Sequence, residues 1–428
     1  MAWSVLLGCG VGLVGVCLAL ARIENLVEAP RAFLVLYGAA FVCYGGALWV
    51  LGRLPGRRAL LIVLIVAALG RAALLLAPPT LSTDAYRYVW DARVASAGIS
   101  PYAAPPSAPE LAPLRDGTIY PRLNHPTWRT VYPPGAQLFF RAVYALAPDS
   151  VLAMKAALAL AELATLAVLA SLLRALGVPL VRLAVYAWNP LVMTEIWGSG
   201  HLDALAMLAA VAALRFAVAG RASLAAALLA LGTLVKLYPA ALLPLLLDGA
   251  ALGPLVVFGA VILVGYAPFA HLGIGALGSL SQYLSTELFN PGLVRTFIDV
   301  PIVTLAVLGA LVAFVALGRR GAPLIDRAFI VIGGGIVLSP NVFPWYVVWL
   351  VPFLAIRPSV PWIAFTGTVG LAYTFFLREP WAIPAWARAG EFLPLALGAG
   401  WALAKPWISN RPALEACLTS RPVRGGQQ

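Results

Sequence analysis

Apolar residues run through this chain in blocks and do not alternate with polar ones. Leu60 to Ala77 and Val151 to Leu173 are near-continuous apolar runs of the ~20 residues that a helix needs to cross a bilayer core. Backbone in lipid must satisfy its own N–H and C=O groups, which leaves helices or closed barrels, and unbroken runs without a two-residue period select helices. The expected fold class is all-α, a polytopic transmembrane helix bundle of about 12 to 14 spans, several of them short. The first run, Ala2 to Ala21, lacks the basic start and small-residue cleavage site of a secretory signal and reads as a retained span.

The polar interruptions give the orientation, because Lys and Arg collect in short cytoplasmic loops. Arg53, Arg57 and Arg58, then Arg174 and Arg182, Arg215 and Arg221, and Arg319, Arg320 and Arg327 mark cytoplasmic ends. Residues 78–135 then form an extracytoplasmic first loop, and their content of Pro, Tyr, Trp and Arg predicts order where a linker would be rich in Gly, Ser and Glu. Ala136 to Leu146 is too short to cross, carries Arg141, and predicts an amphipathic helix at the interface. Breaks at residues 198–203, at Lys236-Leu-Tyr-Pro239, and at Pro340 and Pro344 fall at the same outer face, with a second outer loop over 271–299. The expected organisation is two N-terminal spans in 1–57, the main bundle in 58–405 and a cytoplasmic tail in 406–428.

Composition supports this picture. Of 428 residues, 62% are hydrophobic and 11% charged, far from the roughly 25% charged of a soluble domain. The net charge of +12 follows from membrane orientation; with no basic helix interleaved with aromatics, it does not point to nucleic acid. The four cysteines contain no CxxC pair, so neither a disulfide framework nor a metal site is expected.

Candidate chemistry gathers in the outer segments. In Ser82-Thr-Asp84-Ala-Tyr86-Arg87-Tyr88-Val-Trp90-Asp91, Ser82 or Thr83 can cap a helix that Gly98 and Pro101 close. Asp84, Arg87, Tyr88 and Asp91 share one face of it. The two carboxylates lie about 10 Å apart along the axis, too far to straddle one bond as paired glycosidase carboxylates do. Asp91 can pair with Arg87, which leaves Asp84 as the candidate general base; the competing reading is a cap or a loop salt bridge. Lys236 is the first candidate for binding a phosphate, against an ordinary snorkelling lysine, and Arg295 is the second, against a solvated arginine. His201 and Asp203 suit a sugar hydroxyl better than a metal, since no third ligand accompanies them. His125 and Tyr132, Trp345 and Tyr346 complete the candidates for sugar or acceptor contact. Glu162, mid-span, is expected to be a protonated helix–helix hydrogen bonder, and Glu195 to line the site.

These motifs carry a resemblance. An acidic residue after an early span, Tyr86-Arg-Tyr-Val-Trp-Asp-Ala-Arg-Val94, Ala97-Gly-Ile-Ser-Pro-Tyr102, Val131-Tyr-Pro-Pro-Gly135, Gly200-His-Leu-Asp-Ala204, Lys236-Leu-Tyr-Pro239 and Ser339 to Trp345 occur in one order across most of the chain. In that order they resemble the GT-C glycosyltransferase superfamily. The likeness is greatest to glycosyltransferase family 87 and related polyprenyl-phosphate-mannose-dependent α-mannosyltransferases. Ala92, Ser100 and Leu202 depart from the family pattern, which often has Gly at the first and Asn at the others. The resemblance implies a GT-C-like bundle, Asp84 as base, and a polyprenyl-phosphate-linked sugar donor. It further implies a lipid- or glycan-linked acceptor, the lipid bilayer as surroundings, and no cofactor. The rival functions are a transporter or flippase of a lipid-linked glycan, which would show repeated halves with paired helix breaks, and a lipid-linked glycan polymerase or ligase.

Overall fold

The computed structural model describes residues 1–54, 56–247 and 252–409; the expected tail over 406–428 lies mostly outside the described residues. Helices Ala2–Ala21 (α1), Pro30–Leu51 (α2) and Gly56–Leu75 (α3) open the chain, with α1 packed against both α2 and α3. Asp84–Ser96 (α4) and Pro134–Leu146 (α5) pack on each other, and Val151–Ala175 (α6) follows. The rest is helical too, ending in Val360–Leu377 and Ala385–Ser409, and no strand occurs among the described residues.

Seven helices are long and apolar enough to cross a membrane, and Ala222–Thr233 and Pro344–Ile356 are shorter apolar helices. Their outward faces are oily: Val11, Leu69, Leu263, Val264, Ile302 and Leu317 are all exposed. Water would penalise such a surface by about 25 cal/mol per Å², whereas lipid does not. The protein is an all-α, multi-pass membrane bundle.

Helix breaks fall where the sequence places them. Ala222–Thr233 stops before Lys236 and the chain resumes as Tyr238–Leu246; Leu324–Leu338 stops before Pro340 and resumes at Pro344. Over the expected outer loop of 271–299 the chain forms short helical pieces: the end of Ala267–Leu277, which kinks at Gly273, then Leu280–Thr286 and Leu293–Phe297.

Several polar groups inside the bundle have structural work. Pro190 interrupts the helix over 183–198, and the carbonyls this frees find other donors: Val185 O accepts from Tyr44 Oη at 2.7 Å and Ala187 O from Arg71 Nη1 at 2.5 Å. Arg71 also makes a bidentate pair with Glu162, Nη2 to Oε1 at 2.8 Å and Nε to Oε2 at 3.1 Å. Trp197 Nε1 donates to the same carboxylate at 3.0 Å. Glu162 is therefore corrected from a protonated hydrogen bonder to one half of a buried salt bridge, with Arg71 as the partner the sequence reading passed over. At the end of α3, Lys155 Nζ donates to the carbonyls of Leu74 and Ala77 and ties α6 to that helix end.

The first loop is ordered by its own polar contacts. Arg93 joins Asp116 at 3.0 Å and Asp149 at 2.7 Å, and Asp116 in turn accepts from the backbone N–H of Ile119 and Tyr120. The Arg93 guanidinium holds the Asp116 carboxyl well below the usual carboxylate range. Removing one member of a buried ion pair strands the other, at a cost of about 3–5 kcal/mol. Glu162→Ala is expected to lower the thermal stability of the detergent-solubilised protein by that order. Combining it with Arg71→Leu is expected to recover most of the loss. A single variant as stable as wild type would contradict the assignment.

Candidate active site

The α4 helix brings Asp84 to one end of the bundle. Thr83 is its N-cap position but makes no side-chain cap; instead Ser82 Oγ accepts from the Asp84 N–H at 3.3 Å. Gly98, at φ +81°, turns the chain away at the far end, as expected from the sequence. Asp84 in the first turn faces the positive end of the helix dipole. Its carboxylate is 17% exposed, Oδ1 accepts from Asn124 Nδ2 at 2.7 Å, and Oδ2 lies 3.5 Å from His201 Nδ1.

His201 reaches Asp84 from the turn between residues 198 and 203. Its imidazole is fully buried, with Nε2 3.4 Å from Glu195 Oε2, and its ring stacks on Trp345 with centroids 4.1 Å apart. Two flanking carboxylates decide its charge. Burial alone would lower the imidazole's pKa, but Asp84 and Glu195 outweigh it and raise it to about 9, so His201 is an imidazolium at neutral pH. Burial likewise pushes Asp84 up, and the His201 cation and the Asn124 hydrogen bond more than offset it, holding the carboxyl below its ordinary value. Asp84 is thus an ionised, partly exposed carboxylate.

Next to this pair stands a cation with spare donors. Lys236 Nζ is 2.6 Å from Asp203 Oδ2, 22% exposed, and 4.4 Å from the centroid of the Tyr346 ring. Asp203 also accepts from Trp349 Nε1 at 2.7 Å, which fixes the carboxylate that aims the lysine. Tyr238 packs edge-on against Tyr346, whose hydroxyl meets that of Tyr283 at 2.5 Å. Tyr88 Oη accepts from the backbone N–H of Leu202 at 3.2 Å, and its ring meets Tyr132 edge-to-face.

The structure thus gathers Asp84, His201, Asp203, Lys236, Tyr88, Tyr132, Trp345 and Tyr346 of the expected residues. Others are occupied in holding the walls. Arg87 pairs with Asp91 at 2.8 Å and donates to the carbonyls of Trp128 and His125, and Asp91 also accepts from Gln137. The pair pins residues 125–130 over α4. Arg295, expected as a phosphate ligand, is buried and spends four N–H groups on Asp299 and the carbonyls of Leu284, Ser285 and Glu287. His125 stacks on Trp128 and lies 3.3 Å from Glu287, joining the first loop to the segment after 280.

Sequence reasoning passed over Asn124, Tyr238 and Tyr283, whereas Trp349 stood out as part of an aromatic cluster with Phe343, Trp345 and Tyr346. Asn124 directly precedes the candidate His125 and Tyr238 lies inside Lys236-Leu-Tyr-Pro239; Tyr283, in Ser281-Gln-Tyr-Leu-Ser285, gave no signal. Among the described residues, no group of three or more His, Cys, Asp or Glu side chains is arranged to hold a metal ion.

Neither a search of curated proteins nor a search of solved structures returns a match. A family comparison does: residues 8–251, more than half of the chain and including Asp84, His201, Asp203 and Lys236, match the MptA_B family, described as alpha-(1->6)-mannopyranosyltransferase, N-terminal domain. The matched region ends just beyond Lys236, so both halves of the constellation, the carboxylate on its imidazolium and the lysine on its aspartate, lie within it. The chain belongs to this family of mannosyltransferases.

Proposed function

We propose that the protein transfers a mannosyl residue from a polyprenyl-phosphate donor to a hydroxyl of a lipid- or polymer-linked acceptor, at the extracytoplasmic face of the cytoplasmic membrane. The observation that carries the reading is the ionised, partly exposed Asp84 beside a lysine that retains unused donors. Three requirements of the reaction have counterparts here. An acceptor hydroxyl needs a base, a departing phosphate needs a cation, and a prenyl chain needs an apolar surround continuous with lipid.

In this mechanism Asp84 takes the proton of the acceptor hydroxyl as its oxygen attacks the anomeric carbon of the donor sugar. The bond from that carbon to the phosphate oxygen breaks, and its electron pair leaves with polyprenyl phosphate, which gains one negative charge. Lys236 meets that charge as a mobile ammonium. A single displacement inverts the anomeric carbon, so a β-linked donor gives an α-linked product. Asn124 and His201 fix the direction of the carboxylate; the partly exposed Tyr132 and Trp345 border the space beside it, and the buried Tyr88 and Tyr346 back them. Arg295 is left with its loop-folding contacts and carries no part of this reading.

General-base catalysis contributes about 10²–10⁴-fold. Asp84→Asn is expected to lower transfer of radiolabelled mannose from polyprenyl-phosphate-mannose by that factor in membranes carrying equal amounts of protein. Equal transfer by both proteins would remove Asp84 as the base. Lys236→Met removes a charge that matters most as the phosphate departs, and is expected to cost about 10²–10³ in rate. A loss confined to KM would assign the lysine to ground-state binding alone.

The pH dependence has a definite sign. The Asp84 base form is present above its lowered pKa and is lost only as pH falls below the ordinary carboxylate range. The His201 cation, raised to about 9 from 6.5, is full below the lower value and lost as pH rises through the upper one. The initial rate is therefore expected to be level through the neutral range and to fall near pH 9.

A further inference from the structure

The deepest member of the constellation has no task in the mechanism above. Glu195 is fully buried, on a π-turn over Met193–Gly198 that follows Pro190. Such turns insert an extra residue into a helix and are frequent at functional sites. Two side chains on it, two residues apart, face different neighbours. Trp197 donates to Glu162 of the Arg71–Glu162 pair, and Glu195 faces His201 and Tyr373. The chain then doubles back at Gly200, at φ +75°, where a Cβ would come within 2.8 Å of Lys155 Cγ. The backbone N–H of His201 returns to the Glu195 carbonyl at 3.2 Å.

The polar inventory at this point is unbalanced in an informative way. Glu195 Oε1 accepts from Tyr373 Oη at 2.8 Å, whereas Glu195 Oε2 and both ring nitrogens of His201 have no hydrogen-bond partner. The imidazole lies between Glu195 Oε2, at 3.4 Å from Nε2, and Asp84 Oδ2, at 3.5 Å from Nδ1, and the Tyr37 hydroxyl is a further neighbour of Glu195. The other charges nearby are already matched, Asp203 by Lys236 and Glu162 by Arg71. Trp345 covers the imidazole ring, and Tyr88, at the Leu202 N–H, adds a neutral hydroxyl. A buried anion without a cation is costly, so Glu195 and His201 require each other.

We propose that Glu195 is a positioning residue, holding the His201 side chain from inside the bundle as a cation against Asp84, so that the reacting carboxylate stays ionised and fixed in direction. The Arg71–Glu162 pair, through Trp197, anchors the turn that aims it. This inference rests on the reading of Asp84 as the base.

Glu195→Gln keeps the shape and an acceptor for Tyr373 but removes the charge that His201 faces. The alkaline fall in rate, expected near pH 9 in wild type, should move to lower pH by about one unit or more, with the rate near pH 6 close to wild type. Trp197→Phe loosens the turn that aims Glu195, and should lower thermal stability and move the fall in the same direction by less; an unmoved fall there removes the anchoring role. An unmoved fall in Glu195→Gln, or a uniform loss at every pH, would overturn the proposal. Should that variant fail to accumulate in membranes, Tyr373→Phe gives the test with the opposite sign. Freed of its donor, Glu195 leans more on His201 and the fall should move up; a fall that stays or moves down overturns the proposal. Asp84→Asn, assayed in parallel, separates the two ideas. Normal transfer by it sinks the base and with it the positioning role, whereas an inactive Asp84→Asn beside an unmoved Glu195→Gln sinks only the latter.

Discussion

The contact between Asp84 and the buried imidazolium of His201 organises the site end of this molecule. A carboxylate at a membrane boundary faces competing pulls: burial favours the neutral acid, and a neighbouring cation favours the ion. Here the cation comes from a histidine that is itself charged because Glu195 lies on its other side. The sequence of charges is minus, plus, minus, from the partly exposed end inward. Each member depends on the next, and the innermost sits on the π-turn that Pro190, Arg71 and Glu162 shape.

The membrane explains why so much of the bundle serves so few groups. Helices in lipid gain little from apolar contact with each other, since lipid tails are as apolar as Leu. Specific geometry then falls to buried polar contacts, and this protein has several that span distant parts of the chain. Arg71 with Glu162, Tyr44 with Val185, Trp188 with Val63 and Asn189 with Thr366 tie the interrupted helix over 183–198 to its neighbours. That helix is the one that delivers His201.

How much of this was legible in the sequence follows from the range of each interaction. Continuous apolar runs and proline breaks are local, so the helical class, the break before Lys236 and the α4 helix were readable. The i,i+4 pair of Arg87 with Asp91 was readable for the same reason. Contacts between distant segments were not. Nothing near Asp84 announces Asn124 forty residues later, and Lys236 reads as a free cation until Asp203 is seen against it. Arg295 looked available because its partners are mostly backbone carbonyls, which a sequence never displays. Arg71 was the avoidable omission, since an arginine inside a span calls for an acidic partner and Glu162 was already in view.

The central claim is that one ionised carboxylate, Asp84, drives one displacement at the anomeric carbon. The stereochemistry of the product tests it most directly. Purified protein supplied with polyprenyl-phosphate β-mannose should yield an α-mannosidic linkage, read by NMR from the anomeric coupling of the new bond. A β-linked product would mean two displacements or none at that carbon, and would contradict the account.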